Sequence, residues 1–166
     1  MKRQYVSVLG ATGSIGVNTL DVIGRNRERF GVAALTARRN VDRLAEQCAQ
    51  SDAALAVIAD PALESALAAA LRARGARAAV MSGEAGLTCA AGLPECDIVM
   101  AAIVGAAGLQ STFHAARCGK KILLANKESL VVAGEVFVAE ARDNGARIVP
   151  VASEHNAIFQ SLPLGF

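Results

Sequence analysis

Short apolar runs alternate with stretches of helical period along most of this chain. Residues 5–9 form an apolar run that stops at Gly10, and Ile15, Leu20, Val22 and Ile23 then recur with a helical period, which predicts strand, turn and helix. Residues 32–36 predict a second strand, and Val41, Leu44, Ala45 and Cys48 a helix to about Gln50. A third strand is expected at residues 55–58. Asp60 and Pro61 then suit the N-cap and first position of a helix that closes at Gly75. Residues 78–81 predict a weaker strand and 84–91 a short helix. The uninterrupted run at 98–104 reads as a strand buried on both faces and ending at Gly105. A helix at 109–117 closed by Gly119, a strand at 121–125, a helix from about Ser129 to Asp143 closed by Asn144-Gly145, and a strand at 147–151 complete the pattern. Parallel neighbours need crossovers and helices supply them, so the alternation predicts an α/β, doubly wound, mostly parallel sheet of the Rossmann dinucleotide-binding type.

Composition narrows this picture. The 166 residues allow one domain with a sizeable core. Hydrophobic residues make up 53% and aromatic ones 4%, with no Trp, so that core is aliphatic. A net charge of +2, with no local excess longer than a pair such as Arg38-Arg39, argues against a nucleic-acid partner. Cys48, Cys89, Cys96 and Cys118 lack CxxC spacing and are expected as reduced core or surface thiols. No stretch approaches the ~20 apolar residues of a membrane span, and residues 1–9 are too short and polar for a signal peptide, so the cytoplasm is the expected compartment.

Gly10-Ala11-Thr12-Gly13-Ser14-Ile15-Gly16 stands between the first strand and the first helix. Gly10 is expected to permit the sharp turn, Gly13 to let backbone approach a phosphate, and Gly16 to let the helix pack tightly on the sheet. The N–H groups of Gly13, Ser14 and Ile15, with the positive end of the helix dipole, would face a pyrophosphate, and the hydroxyls of Thr12 and Ser14 could add donors. The spacing is GxxGxxG rather than GxGxxG, so its position between strand and helix carries more than the glycines alone. After the second strand come Arg38, Arg39 and Asn40, where a cofactor with a free ribose hydroxyl would meet a carboxylate. Two guanidinium groups suit a 2′-phosphate, which favours NADPH.

Asn126-Lys127-Glu128-Ser129 follows another buried strand, at the edge where ligands collect. Lys127 could neutralise an anionic substrate or a developing oxyanion. Equally, Asn126 or Ser129 could cap the next helix with Lys127 and Glu128 on its first turn. Ser153, Glu154, His155 and Asn156 follow the last strand; Glu154 could hold a hard divalent cation, whereas His155 reads better as a structural or capping residue. His114, on a predicted helix, is expected to be partly exposed.

Together, GATGSIG from Gly10, MAAIVGAAGL from Met100, LLANKESLV from Leu123-Leu124 and SEHNAIFQSL from Ser153 closely resemble the 1-deoxy-D-xylulose 5-phosphate reductoisomerase family. The resemblance implies an enzyme of the non-mevalonate isoprenoid pathway. Such an enzyme rearranges the sugar phosphate 1-deoxy-D-xylulose 5-phosphate with a bound Mg or Mn ion and reduces the product with NADPH to 2-C-methyl-D-erythritol 4-phosphate. By position it puts Thr12, Gly13, Ser14 and Ile15 on the cofactor pyrophosphate, Arg38, Arg39 and Asn40 on its adenosine phosphate, and Asn126 and Glu128 nearer the nicotinamide. Lys127, Ser153 and Glu154 look like substrate contacts, with Lys127 and Glu154 catalytic and Glu154 also a metal ligand. A homodimer is implied as well.

The sequence departs from the family pattern where PVDSEHNAIFQ is expected. Ala152 stands in place of the metal-binding Asp, so one hard ligand is gone. The family chain also continues well beyond this length, supplying a further carboxylate, a substrate-phosphate site and a mobile flap with a Trp. Residues 1–151 are accordingly read as an NADPH-binding domain and 152–166 as the start of a catalytic or connecting region, a fragment expected to bind NADPH without turning over substrate. The competing readings are a non-catalytic NADP(H)-binding module and another Rossmann dehydrogenase. A semialdehyde dehydrogenase, for instance, would need a reactive cysteine beside a histidine.

Overall fold

The computed structural model describes residues 2–125 and 128–151, without the side chains of residues 128–133. The strands are β1 (Gln4–Leu9), β2 (Phe30–Ala37), β3 (Leu55–Ile58), β4 (Ala79–Ser82), β5 (Ile98–Ala101), β6 (Lys121–Leu124) and β7 (Arg147–Pro150). Between them run α1 (Ser14–Arg25), α2 (Val41–Ser51), α3 (Glu64–Ala73), α4 (Gly83–Gly92), α5 (Leu109–Arg117) and α6 (Glu128–Asp143). All pairings are parallel, in the order β4-β3-β2-β1-β5-β6-β7. The order reverses at β1, whose two neighbours are β2 and β5, and the chain leaves the paired carboxyl ends of β1 and β5 toward helices on opposite faces, α1 and α5, which makes this edge the switch-point crevice.

Successive strand residues point to opposite faces, and the core divides accordingly. Val6 and Val8 of β1, Ala56 and Ile58 of β3, and Ile98 and Met100 of β5 pack with Ile23 of α1, Leu44 and Cys48 of α2, and Leu67 and Leu71 of α3. On the other face Leu9, Val57, Val99 and Ala101 meet Leu87 of α4, Ala115 and Ala116 of α5, and Phe137 and Ala141 of α6. Alanines on α4 and α5 allow close helix–sheet approach, which accounts for the aliphatic composition.

Three differences from expectation bear on the site. Asp60 does cap, accepting from the Ala62 N–H at 3.1 Å, but it opens a 3-10 turn (Pro61–Leu63) before α3 begins. The strand expected at 98–104 ends at Ala101: after the Ala102 N–H bonds to the Leu9 carbonyl (3.0 Å), the chain leaves the sheet at the crevice, and Val104 is 80% exposed. Periodicity could not see this, because Ala102, Ile103 and Val104 are as apolar as the strand before them. Finally, Gly16 packs less against the sheet than against the turn: a Cβ there would meet the Gly10 carbonyl oxygen at 2.4 Å and the Ala11 Cα at 2.6 Å.

All four cysteines are free. Burial pushes the Cys96 thiol up and that of Cys48 up to about 12.

Two predictions follow from packing. Gly16→Ala drives a methyl group into fixed backbone and is expected to cost about 1–3 kcal/mol, whereas Gly24→Ala, with open space around it on the same helix, gains up to about 1 kcal/mol; urea denaturation compares them. The Cys48 thiol stays neutral in the fold to about pH 12, while the unfolded thiol ionises from 9.0. Its contribution to stability is therefore full below 9 and falls as pH rises toward 12, at about 1.4 kcal/mol per pH unit. Cys48→Ala should flatten that part of the stability–pH curve.

Candidate functional site: a glycine turn at the switch point of the sheet

Gly10 leaves β1 with φ +87°, and an added Cβ would lie 2.9 Å from the Ala102 carbonyl oxygen at the end of β5. Only glycine satisfies both the dihedral and the approach. The turn is fastened on its inner side: the Gly10 N–H donates to Thr36 Oγ1 (2.9 Å), the Ala11 N–H to the Thr36 carbonyl (2.7 Å), and Gln47 Nε2 to the Ala11 carbonyl (2.9 Å).

Beyond it, Gly13 is the N-cap of α1 with extended backbone, and no side chain caps the helix. Its N–H bonds back to the Gly10 carbonyl at 3.2 Å, so it is engaged in the turn rather than open as expected. The amides of Thr12, Ser14 and Ile15 meet no acceptor among the described residues. No acidic side chain occupies the first turn of α1, and a Cβ at Gly13 would find only the Gly10 oxygen at 3.5 Å. Open amides, a bare glycine face and a helix N-terminus fit the phosphate portion of a dinucleotide. Thr12 is half-buried; Gly13, Ser14 and Ile15 are exposed.

At the end of β2, Arg38, Arg39 and Asn40 are all exposed on the same edge of the sheet. Asn40 Oδ1 accepts from the Arg43 N–H (3.2 Å) and so caps α2, which leaves its NH2 for a ligand. Arg39 pairs with Asp60 at 2.6 Å, and Arg38 makes no ion pair among the described residues. Arg38 is thus the freer of the two cations, while Arg39 is held by a carboxylate at the end of β3.

Asn126, Lys127, Ala152, Ser153, Glu154 and His155 lie outside the described residues, and of Glu128 only its place at the start of α6 is described, one residue earlier than expected. Val151 closes β7 on the same edge, donating its N–H to the Leu124 carbonyl at 3.0 Å. Among the described residues no group of three His, Cys, Asp or Glu side chains stands close enough to hold a metal ion, so nothing described fits a metal site. No described helix is long and apolar enough to cross a membrane.

Thr36 and Gln47 were not singled out by motif reading, although each is a polar residue within an apolar stretch, FGVAALTA and LAEQCA. His114 is half-buried, as expected, with its Nε2 3.5 Å from Cys118 Sγ. That Cys–His contact is at the far end of α5, which leads from the carboxyl end of β5 to the start of β6, so it occupies the opposite edge of the sheet from the glycine turn. A groove of about 610 Å3 between α1 and α2, bordered by Val17, Leu20, Arg43 and Gln47, runs toward Arg3 and Phe30; no residue of the glycine turn lines it.

The comparisons agree with this geometry. The family model for 1-deoxy-D-xylulose 5-phosphate reductoisomerase matches residues 6–134. The reductoisomerase of Laribacter hongkongensis is 55% identical over 98% of this chain and 42% of its own length, and that of Dechloromonas aromatica is 53% identical over 99% and 42%. The structure of the Zymomonas mobilis enzyme in complex with NADPH superposes with a TM-score of 0.93 at 49% identity, covering 98% of this chain and 42% of that one. The chain therefore spans about two fifths of the length of the relatives it matches. By sequence and by fold, it belongs to the 1-deoxy-D-xylulose 5-phosphate reductoisomerase family.

Proposed function

We propose that this chain is the NADPH-binding part of a divalent-metal-dependent reductoisomerase that converts 1-deoxy-D-xylulose 5-phosphate to 2-C-methyl-D-erythritol 4-phosphate. The observation that carries the reading is the fastened glycine turn with open amides at Thr12, Ser14 and Ile15, set at the switch point of the sheet. The NADPH complex of the Zymomonas mobilis relative supports the cofactor, and a further relative, solved with NADPH, fosmidomycin and magnesium, is 43% identical with a TM-score of 0.93.

In this reading the open amides and Gly13 hold the pyrophosphate, and Arg38, Arg39 and Asn40 receive the 2′-phosphate. Arg39 is pre-set by Asp60, so less side-chain freedom is lost when the phosphate arrives. Asn126 and Glu128 run along the cofactor toward its nicotinamide end. Bound NADPH supplies the hydride. Lys127 neutralises charge on the sugar phosphate, and Ser153 and Glu154 contact it. Ala152 leaves Glu154 as the one carboxylate in residues 152–154 for Mg or Mn, so no step is assigned to a metal. Residues 1–151 form the NADPH-binding domain and 152–166 begin the catalytic or connecting region. The chain alone binds cofactor without turnover, in the cytoplasm, and homodimerises in the complete enzyme.

Two measurements test this. In a fluorescence titration, replacing both Arg38 and Arg39 with Ala should weaken NADPH at least about tenfold while NADH changes by less than about twofold, because only NADPH carries the extra phosphate. Equal losses would put the phosphate contact elsewhere, and no binding of NADPH to the unaltered chain would overturn the reading. Incubation with the sugar phosphate, Mg and NADPH should leave the absorbance at 340 nm unchanged; oxidation of NADPH would show that Ala152 and the residues present suffice for catalysis.

A further inference from the structure

Resting on the cofactor reading above, we infer that Gln47 is a positioning residue for NADPH, aiming the Thr12 amide at the pyrophosphate by holding the Ala11 carbonyl from behind. Gln47 is on α2 among Leu44, Ala45 and Cys48, positions that face the core, and only 8% of it is exposed. A long polar side chain there loses its hydration and needs a partner. It finds one 36 residues away: Nε2 donates to the Ala11 carbonyl at 2.9 Å. The opposite orientation of the amide would set two carbonyl oxygens against each other, so the donor role is fixed.

The consequence follows from the planarity of the peptide unit. The Ala11 C=O and the Thr12 N–H belong to one trans peptide and point in opposite directions. Drawing the carbonyl inward toward α2 turns the Thr12 N–H away from α2, and like the Ser14 and Ile15 amides it meets no acceptor among the described residues. The preceding peptide is already fixed, because the Ala11 N–H bonds to the Thr36 carbonyl at 2.7 Å. Gln47 therefore sets the one remaining rotation of the turn between its anchor on β2 and the start of α1. A turn pre-set in this way binds an anion without first surrendering that freedom. Gln47 never touches the cofactor, and its effect reaches the pyrophosphate, the portion common to NADPH and NADH.

The test compares Gln47→Met, which keeps the side-chain length but donates nothing, with Leu67→Ala, which removes a fully buried core side chain on α3. Affinities for NADPH and NADH are measured by titration of the full chain well below the melting temperature, together with Tm and the amide resonance of Thr12. Gln47→Met is expected to weaken both cofactors by about the same factor, near tenfold, and to shrink the cofactor-induced shift of the Thr12 amide. Leu67→Ala should lower Tm while leaving both affinities within about twofold. If Gln47→Met binds within about twofold of the unaltered chain, or if Leu67→Ala weakens binding as much, Gln47 is only a packing residue and the inference fails. Failure of the unaltered chain to bind NADPH overturns the cofactor reading itself, a distinguishable result.

Discussion

The Gly10 carbonyl oxygen sits only 2.4 Å from where a side chain at Gly16 would begin, and a side chain at Gly10 would begin 2.9 Å from the Ala102 carbonyl oxygen just past β5. The start of α1, the end of β1 and the end of β5 meet at one point where backbone alone fits. That crowding fixes the direction of α1, and with it the amides that open toward the crevice. Hydrogen bonds from its amides to Thr36, and from Gln47 to the Ala11 carbonyl, stop the turn from relaxing. A sheet built on this junction has its strand order reversed beside it, so this close packing lies at the switch point of the sheet.

Much of this architecture was legible in the sequence because the two periods are cleanly separated. β3 and α5 match the expected boundaries residue for residue, since turn residues bracket them. The end of β5 was not legible: hydrophobicity reports burial, and residues 102–104 are apolar for a reason other than pairing in the sheet. The role of Gly10 in the sharp turn was legible, but the engagement of the Gly13 N–H with the Gly10 carbonyl and the closeness of Gly16 to the turn were not, because spacing along a chain does not say which surface a helix meets. Gln47 was hidden for a related reason. A glutamine beside Glu46 in a helix reads as surface until the structure shows that it is buried against a carbonyl far away in sequence.

The arginine pair illustrates how charge acquires meaning from placement. Arg38 and Arg39 are adjacent in sequence, yet one is tied to Asp60 and the other is not. A carboxylate beside a cation lowers the net positive charge but fixes geometry. In the proposed role of the pair, that trade suits discrimination between two cofactors that differ by one phosphate group better than it suits raw affinity.

The position of β1 in the middle of the sheet also bears on how the chain is made. Translation delivers β1 through β4 first, together with α1, α2 and α3, which cover one face of these strands in the folded chain. One flank of β1 then stays an open edge until Ile98–Ala101 emerges from the ribosome, and such an edge is a template for unwanted pairing in the crowded cell. Co-translational folding of this chain thus has a vulnerable interval, which closes when β5 docks on β1 and completes the switch point of the sheet in the same event.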